Sequence, residues 1–437
     1  MNENKWDDLL ASLNEQEKAV IKEITQAIRD DQAASAAQLF HTHAWLASFV
    51  NVPCFAFDSP AIVVAASRGS REMVDVLLAN GADINAKSQW WAGGFGVLHN
   101  DQRDLAPYLI ERGAQVDTHA AAALDMMDLL SEMVEADPAV VNLRGPDGQV
   151  PLHFAKERRI IDFLLTHGAD IDRRDIDHGS TPAQWAVDDP DKCRYLIERG
   201  AETDIFIACI LNDVEAVSRL LASDPDVLNA QVGQGVFTSG DSDGGHIYLY
   251  KIGAGTRPLF LAQRLQRDEI LALMLRYSST EQQFLLACYQ ADTAAVHAIA
   301  AEHPNLAASL QPVDASVIVD AADDRRLDAV RIMLEVGFPV DARRRPQSAT
   351  ALHMAASQGN LEIVALLLQH GASVHAINEF GGTPLGSCIW GSQHLRHPAG
   401  DYAAVTRNLI EAGAKLPDHV MGSEEVKTVL IAHGVRD

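Results

Sequence analysis

The sequence predicts an all-α solenoid of about 12 helix-turn-helix repeats, because one short phrase recurs along most of the 437 residues. A second segment, rich in Pro, Leu and Ala, precedes several copies of the phrase at a regular offset. Hydrophobic residues make up 47% of the chain, which suffices for a core that continues through a stack of repeats. Because such an array grows in one dimension, the length does not demand separate globular domains.

The recurring phrase marks the end of a helix. It contains two apolar residues, two further residues and then Gly-Ala. Glycine directly after a helix supplies a left-handed cap, and the paired apolar residues predict a seam buried between neighbouring repeats. The phrase stands at Leu77–Asn85, Leu109–Asp117, Leu164–Asp172, Leu196–Asp204, Leu367–His375 and Leu409–Pro417.

The second segment marks the start of a helix. Proline suits the first helical position, where the missing N–H costs no hydrogen bond. The segment stands at Val150–Ala155, Ser180–Ala186, Thr350–Ala356 and Gly382–Ser387. Together the two elements resemble the ankyrin repeat, which consists of a turn, an inner helix, an outer helix and a loop ended by glycine. This resemblance implies a protein that works by binding, although the family hosts many unrelated functions.

Other stretches carry the polar turn and amphipathic helix of a repeat without the full phrase. They are Ala27–Leu46, Ala121–Val141, Ala208–Leu228 and Ala287–Leu306. The inner helices that begin at Leu98, Pro151 and Pro182 are expected to be shorter than the one at Ala351, since fewer residues separate motif and Gly-Ala. We expect five segments: an N-terminal helical cap or degenerate ankyrin-like repeat (1–57), ankyrin repeats (58–231), an inserted finger (232–255), further ankyrin repeats (256–418) and a C-terminal capping helix (419–437).

The composition limits the kinds of partner that the protein is expected to bind. The formal charge is −25, from 35 basic and 60 acidic residues, which disfavours nucleic acid and anionic membranes as partners. No apolar run approaches the ~18 residues of a membrane span, and the polar start of the chain does not resemble a secretory signal. The five cysteines form no CxxC pair. A monomeric, acidic, cytoplasmic protein with reduced cysteines is therefore expected.

Function is expected where the repeat is interrupted, because the regular core explains most residues without any chemistry. The interruptions are a Trp-Trp loop at 90–95, a glycine-rich insertion at 231–255 and a lengthened connection at 391–400. They are too far apart in the array for all three to surround one small molecule. The candidate binding residues are Trp90, Trp91, Trp185, Asp241, Asp243, His246, Tyr248, Tyr250, Trp390, His394 and His397.

The large insertion has the pattern of a β-hairpin finger near 232–254. A turn-rich stretch precedes His246–Ile252, in which polar or aromatic residues alternate with apolar ones as in a strand. One face would present His246, Tyr248 and Tyr250 for recognition, and truncating either tyrosine should then spare the fold. The alternative is that this face packs on the neighbouring repeat.

Two functions follow from these features. The first is an interaction scaffold that binds a protein or peptide along its concave groove, with the aromatic residues of the interruptions as anchors. The second is an enzyme of the hydrolase or lyase type, whose acid–base pocket forms where the finger covers the groove near His178; a small molecule would then be the ligand. Its candidate catalytic residues are Asp177, His178, His246 and Tyr248. The scaffold is favoured because no catalytic or nucleotide-binding motif is matched, and neither a cofactor nor a metal site is expected.

Overall fold

Paired helices fill most of the described chain. The structure is a computed structural model that describes residues 13–100, 102–238, 245–344 and 347–436. The described residues fall into two compact units, one drawn from Met1–Thr203 and Thr238–Ile247 and the other from Asp204–Phe237 and Tyr248–Asp437. The mostly helical prediction is confirmed, and each unit is described by itself.

The first unit contains inner and outer helices in succession. Its α-helices are Glu15–Arg29, Ala33–Thr42, Ala61–Ser67, Arg71–Ala79, Ala106–Glu111, Thr118–Ala123, Met127–Ala136, Pro151–Phe154, Arg158–Thr166, Pro182–Trp185 and Pro190–Glu198. The inner helices at Pro151 and Pro182 have 4 residues each, against 7 in Ala351–Ser357 of the other unit, as the motif spacing predicts. Leu98 lies in a turn and does not begin a helix.

The second unit repeats the same arrangement. Its α-helices are Ile205–Leu211, Val214–Ser223, Pro258–Arg264, Asp268–Leu275, Thr280–Gln290, Thr293–Glu302, Leu306–Ser309, Pro312–Ala315, Val317–Asp323, Leu327–Glu335, Ala351–Ser357, Leu361–Gln369, Pro384–His394, Tyr402–Glu411 and Glu424–Ala432. Inner helix Ala351–Ser357 packs between Val317–Asp323 and Pro384–His394, so that successive repeats share one core.

The recurring phrase has the structural role that its residues predict. Its first leucine is buried in every copy, with Leu77, Leu164 and Leu367 fully inaccessible. Its glycine follows the outer helix with a positive φ, between +82° and +103° across the copies. A side chain is strained in that conformation, which explains why glycine ends these helices.

A histidine in the first turn of an inner helix joins neighbouring turns inside each unit. The Nε2 atom of His153 lies 3.2 Å from the carbonyl oxygen of Ser180, one repeat later. In the second unit, Nε2 of His353 lies 3.1 Å from the carbonyl oxygen of Gly382. These contacts tie the turn tips of adjacent repeats, so these two histidines are structural.

The predicted β-hairpin is not present in the described part of the insertion. Tyr248 is helical and Leu249–Gly253 forms a π-helical turn, so the strand prediction for 246–251 is wrong. The alternation of residue types was misleading: His246, Ile247 and Tyr248 are all buried, so burial does not alternate here as it does along a strand with one exposed face. Within the described residues, the strands are a two-residue antiparallel pair, Arg343–Arg344 with Ala349–Thr350.

The cysteines and the helix lengths add two further observations. All five cysteines are free thiols; Cys54 is half-buried and the others are buried. In the ranges that the structure describes, the helices are too short or too polar to cross a membrane.

Candidate functional site

Three titratable side chains meet inside the first unit. Asp147, Asp177 and His178 each offer one ligand atom, and these atoms all lie within 4.8 Å of one another. All three residues are buried, with exposed fractions of 8%, 3% and 8%. We call this group the turn cluster, because its members lie in the turns that open two successive repeats.

The backbone of the two turns sets the position of the cluster. The amide of Gly145 donates to the carbonyl oxygen of Gln149 and closes the first turn. In the second turn the amide of Asp175 donates to Ser180, so this turn is one residue longer. The carbonyl oxygen of Asp147 accepts the amides of both Ile176 and Asp177, which joins the two turns directly. The extra residue therefore places both Asp177 and His178 against Asp147.

Asp175 holds the longer turn in shape. Its carboxylate accepts the amides of His178 and Ser180, and it accepts the indole N–H of Trp185 at 2.6 Å. Trp185 is half-buried and its ring lies edge-on to His178, with centroids 5.2 Å apart. Trp185 thus serves as a wall of the turn cluster, whereas the sequence analysis assigned it to a binding surface.

The inserted segment fixes the orientation of the His178 ring. Its Nδ1 atom lies 2.7 Å from the carbonyl oxygen of Gly245, which can only accept a hydrogen bond. Nδ1 therefore carries the proton in the neutral ring. The Nε2 atom lies 3.6 Å from Oδ2 of Asp177. The amide of Ile247 donates to the Ser180 hydroxyl, which fastens the same segment to the turn a second time.

His246 also belongs to this region. Its side chain is fully buried, and this burial, with smaller contributions from the charges of Arg174 and His178, lowers the pKa of His246 to about 4. His246 is therefore neutral near pH 7. His178 and His246 lie in the same region, as predicted, but His246 has no exposed face for recognition.

The pKa of Asp147 is strongly raised. Burial, followed by the nearby Asp177 carboxylate, raises the pKa of Asp147 to about 7, although His178 partly opposes this effect. Two carboxylates buried this close together repel each other when both are ionised. Near pH 7 the Asp147 carboxyl is thus divided between its neutral and charged forms.

The Trp-Trp loop lies beside the same turns. The amide of Asp147 donates to the carbonyl oxygen of Gly93 in this loop. A Cβ at Gly93 would lie 2.0 Å from the carbonyl oxygen of Gly145, so only glycine permits this approach. The loop and the inserted segment therefore both reach the turn cluster, through Gly93 and Gly245.

The outer side of this loop carries an aromatic patch. Trp90 is half-buried and packs edge-on against Phe57, with centroids 5.2 Å apart, and Trp91 is 47% exposed. Phe57 itself is 58% exposed and adopts a φ of +59°, which is unfavourable for a large side chain. Such strain in an exposed aromatic residue is typical of a functional surface.

The two tyrosines of the insertion have different environments. Tyr248 is fully buried in the second unit, where its ring packs with Phe206 and Phe237 and its hydroxyl donates to Asp204 at 2.8 Å. It cannot be the exposed recognition residue that the strand pattern predicted. Tyr250 is 66% exposed. The candidates Asp241 and Asp243 lie outside the described residues.

The second unit contains an open cavity of about 680 Å³. Its wall includes Met354, Phe380, Trp390 and Leu395, and polar groups from Asp323, Arg344 and Asn378 reach the same space. Phe380 is 76% and Trp390 51% exposed, so both present aromatic surface to solvent. We call this space the groove cavity.

The histidines near the groove cavity make local contacts. The ring of His394 lies against Trp390, with centroids 5.1 Å apart. His397 accepts the amide of Ala399 through Nδ1 at 3.1 Å and its own amide donates to the Tyr402 hydroxyl. His394 thus supports the exposed tryptophan, and His397 shapes the connection between two helices.

Sequence reasoning missed two residues that the structure places at these sites. Asp147 lies in a Gly-Pro-Asp-Gly turn, which looked like an ordinary repeat turn. The sequence did contain a clue: the turn of the next repeat also contains aspartate, at Asp177, and the turns of consecutive repeats lie side by side. Phe380 is an aromatic residue in a Gly-rich turn, where a polar residue is usual, and this was a readable signal.

Comparison with known proteins agrees with the fold. Residues 59–89 match the family described as "Ankyrin repeat", and residues 118–207 match the family described as "Ankyrin repeats (3 copies)". Residues 318–368 and 352–396 match the family described as "Ankyrin repeats (many copies)". These matches fall in both units.

Similar proteins contain the same repeat. Over 152 residues the chain is 30% identical to mouse "Ankyrin repeat and SAM domain-containing protein 6", covering 29% of this chain and 17% of that protein. It is 41% identical over 86 residues to mouse "Protein phosphatase 1 regulatory subunit 27", covering 18% and 50% of the two chains. It is 51% identical over 43 residues to an Aspergillus flavus "Ankyrin-repeat domain containing transcription coregulator asaA", covering 10% and 13%. The chain therefore spans half or less of these relatives. The motifs, the stacked helix pairs and these matches together show that the chain contains ankyrin repeats in both units.

Proposed function

We propose that this protein is a binding scaffold whose second unit holds an extended segment of a partner protein in the groove cavity. The observation that carries this proposal is the exposure of Phe380 and Trp390 on one cavity wall. Large aromatic side chains at a concave surface are the usual anchors of protein interfaces. Exposing them without a partner is unfavourable, because apolar surface is then left in water.

The shape of the groove favours an extended ligand. A cavity of about 190 Å³ shares Asp323, Arg344 and Gln347 with the groove cavity. On the other side, a cavity of about 330 Å³ shares Gly386 and Trp390 with it. The three spaces thus form a continuous series across successive repeats. A compact small molecule would use one of them, whereas an extended peptide segment fills all three.

Charge indicates which segment would fit. The chain carries a formal charge of −25, so a partner segment with basic residues around an apolar anchor is favoured electrostatically. The names of two relatives, a phosphatase regulatory subunit and a transcription coregulator, describe proteins that act with other proteins. These names support a protein partner in general and do not identify the partner of this chain.

A selection from a displayed library of random peptides on the full-length chain tests the proposal. We expect selected peptides to contain an apolar or aromatic anchor and to bind in a fluorescence polarisation assay. Phe380→Ala and Trp390→Ala should each weaken binding on the order of 30-fold, as expected for interface anchors. The matched control is Ile431→Ala, an apolar residue that is 54% exposed on the final helix and does not line the groove cavity. Peptides that bind all the variants with the same affinity would place the binding site elsewhere and refute this use of the groove.

A further inference from the structure

A small polar cavity lies beside the groove cavity in the second unit. It has a volume of about 190 Å³ and shares Asp323, Arg344 and Gln347 with the groove cavity. Drug-sized ligands occupy cavities of roughly 300 Å³ or more, so a space of this size suits a single side chain. We call it the acidic pocket, because its lining contains three carboxylates, from Asp320, Asp323 and Asp324.

One carboxylate of the acidic pocket is only half satisfied. Asp320 is 9% exposed, and its Oδ1 accepts a hydrogen bond from Nη1 of Arg344 at 3.2 Å. Its Oδ2 is buried and accepts none from the residues that the structure describes. Burial raises the pKa of Asp320 to about 7, although the charges of Arg344 and Arg257 oppose this effect. The groups around Asp320 therefore do not offset the loss of water at its carboxylate, and a further donor would stabilise the charged form.

The charges that line the pocket are unequal in number. Three carboxylates face two guanidinium groups, those of Arg264 and Arg344. Arg344 is shared, because its Nη1 donates both to Asp320 and to Asp323, the latter at 2.9 Å. Arg264 donates to the carbonyl oxygen of Ile252 at 2.8 Å. A guest with one positive charge would balance the lining, since buried charges are favourable only when they are paired.

The pocket also offers a hydrogen-bond donor. Nε of Arg344 is buried and has no acceptor within the described part of the chain. A peptide residue can satisfy both groups, with a cationic side chain for Asp320 and a backbone carbonyl for Arg344. A metal ion would serve the carboxylates alone. Among the described residues, moreover, the oxygens of Asp320, Asp323 and Asp324 are not a group that lies mutually within 4.8 Å, as a metal site would require.

We propose that the acidic pocket binds one lysine or arginine side chain of the partner segment, with its positive charge beside Asp320. This inference rests on the proposed function, because the same segment continues into the groove cavity. It adds a specific requirement to the general attraction of an acidic chain, namely one basic residue at a fixed distance from the aromatic anchor. Gly255 shapes the pocket, since a Cβ there would lie 2.8 Å from Oδ1 of Asp320.

Capped amino acids test the pocket without a selected peptide. The probes are the N-acetyl methylamides of arginine, lysine and citrulline, the last of which has the shape of arginine but no charge. Saturation-transfer NMR on the full-length chain gives an apparent Kd for each probe. We expect the better of the two basic probes to bind at least about 10-fold more tightly than the citrulline probe, because it pairs with a buried carboxylate. Equal binding of all three probes would overturn the proposal.

Two variants locate the binding. Asp320→Asn should weaken the preferred basic probe by at least about 10-fold. Because Asp320 is buried and paired with Arg344, a second variant uses an exposed position of the same lining: Asp324→Asn should weaken the probe by about 3-fold. The matched control is Asp328→Asn, which removes the same charge from an exposed residue outside the lining and should leave the Kd unchanged. A Kd that is the same in Asp324→Asn as in the wild type, or that rises equally in Asp328→Asn, would overturn the assignment.

Peptides selected for the groove cavity separate this inference from the proposed function. Exchanging each arginine for citrulline, and each lysine for norleucine, should reveal one position whose exchange costs at least about 10-fold in the wild type and little in Asp320→Asn. Peptides that depend on Phe380 and Trp390 yet tolerate every exchange would preserve the proposed function and refute the acidic pocket. Failure to select any peptide counts against the proposed function alone, and the capped amino acids still decide the pocket.

Discussion

Tyr248→Ala is expected to destabilise the second unit by about 3–5 kcal/mol, the usual cost of truncating a fully buried aromatic side chain. The Tyr248 ring is completely inaccessible and packs with Phe206 and Phe237, whose centroids lie 5.6 Å and 5.7 Å away. Its hydroxyl donates to Asp204, and the other oxygen of that carboxylate caps helix Ile205–Leu211. Truncation therefore removes both apolar contacts and support for a helix start.

A conservative variant separates the contribution of the Tyr248 ring from that of its hydrogen bond. Tyr248→Phe keeps the ring and deletes the hydrogen bond to Asp204, which should cost about 1.5–3 kcal/mol for a bond to a charged group. Tyr250→Ala is the matched control, because Tyr250 is 66% exposed and its loss should change stability by less than about 0.5 kcal/mol. The expected order of destabilisation is Tyr248→Ala, then Tyr248→Phe, then Tyr250→Ala.

Hydrogen exchange is the most direct assay, because repeat proteins open locally and a single melting curve averages over many repeats. Amides in Ile205–Leu211 should exchange faster in both Tyr248 variants, whereas those in Leu361–Gln369 should be less affected. Urea unfolding then gives the total change in the free energy of unfolding. If Tyr248→Ala matches Tyr250→Ala in both assays, the inserted segment contributes little to the core and the reasoning from burial is wrong.

Three further predictions concern the repeats themselves. Leu164→Ala should cost about 2–5 kcal/mol in urea unfolding, because the leucine is fully buried and its loss leaves a cavity. Burial alone would raise the pKa of Asp117. The hydrogen bond and charge of His99 outweigh burial and hold the pKa well below its usual range. The depressed pKa stabilises the folded protein at pH values above about 3.9, the pKa of an unfolded aspartate, and this stabilisation is lost as the pH falls from there toward the folded pKa. Asp117→Asn should therefore flatten the acid limb of a plot of urea midpoint against pH. Gly391→Ala should lower the melting temperature, since its Cβ would lie 1.8 Å from a backbone oxygen of the neighbouring helix, whereas Gly386→Ala in the same helix meets nothing closer than 3.6 Å and should be tolerated.

The regular repeat could be predicted from the sequence because its signals are local. Each copy of the phrase contains its own helix end, its own cap and its own buried leucine, so the pattern is visible within a few residues. Leu77 and Leu367 are buried as predicted although they belong to different units. Short inner helices at Pro151 and Pro182 were also readable, because chain length between two motifs limits helix length.

The insertion could not be predicted in the same way. Its alternating residue types favoured a strand, but a strand needs a neighbouring strand to satisfy its backbone groups. Leu249–Gly253 satisfies them within its own helical turn. Burial there depends on contacts remote in sequence, such as Tyr248 with Phe206, that no local pattern encodes.

The turn cluster shows why the sites of a repeat protein escape sequence reasoning while its fold does not. Asp147 and Asp177 are each unremarkable turn residues, and only the stacking of successive turns brings them together. One additional residue in the turn Asp175–Ser180 changes which side chains point at the neighbouring repeat. His178 in this turn also contacts the carbonyl oxygen of Gly245 in the inserted segment. A regular array therefore converts a small local irregularity into a cluster of distant residues. The sequence signal for Asp147 was the difference in length between two consecutive turns, which no contiguous motif contains.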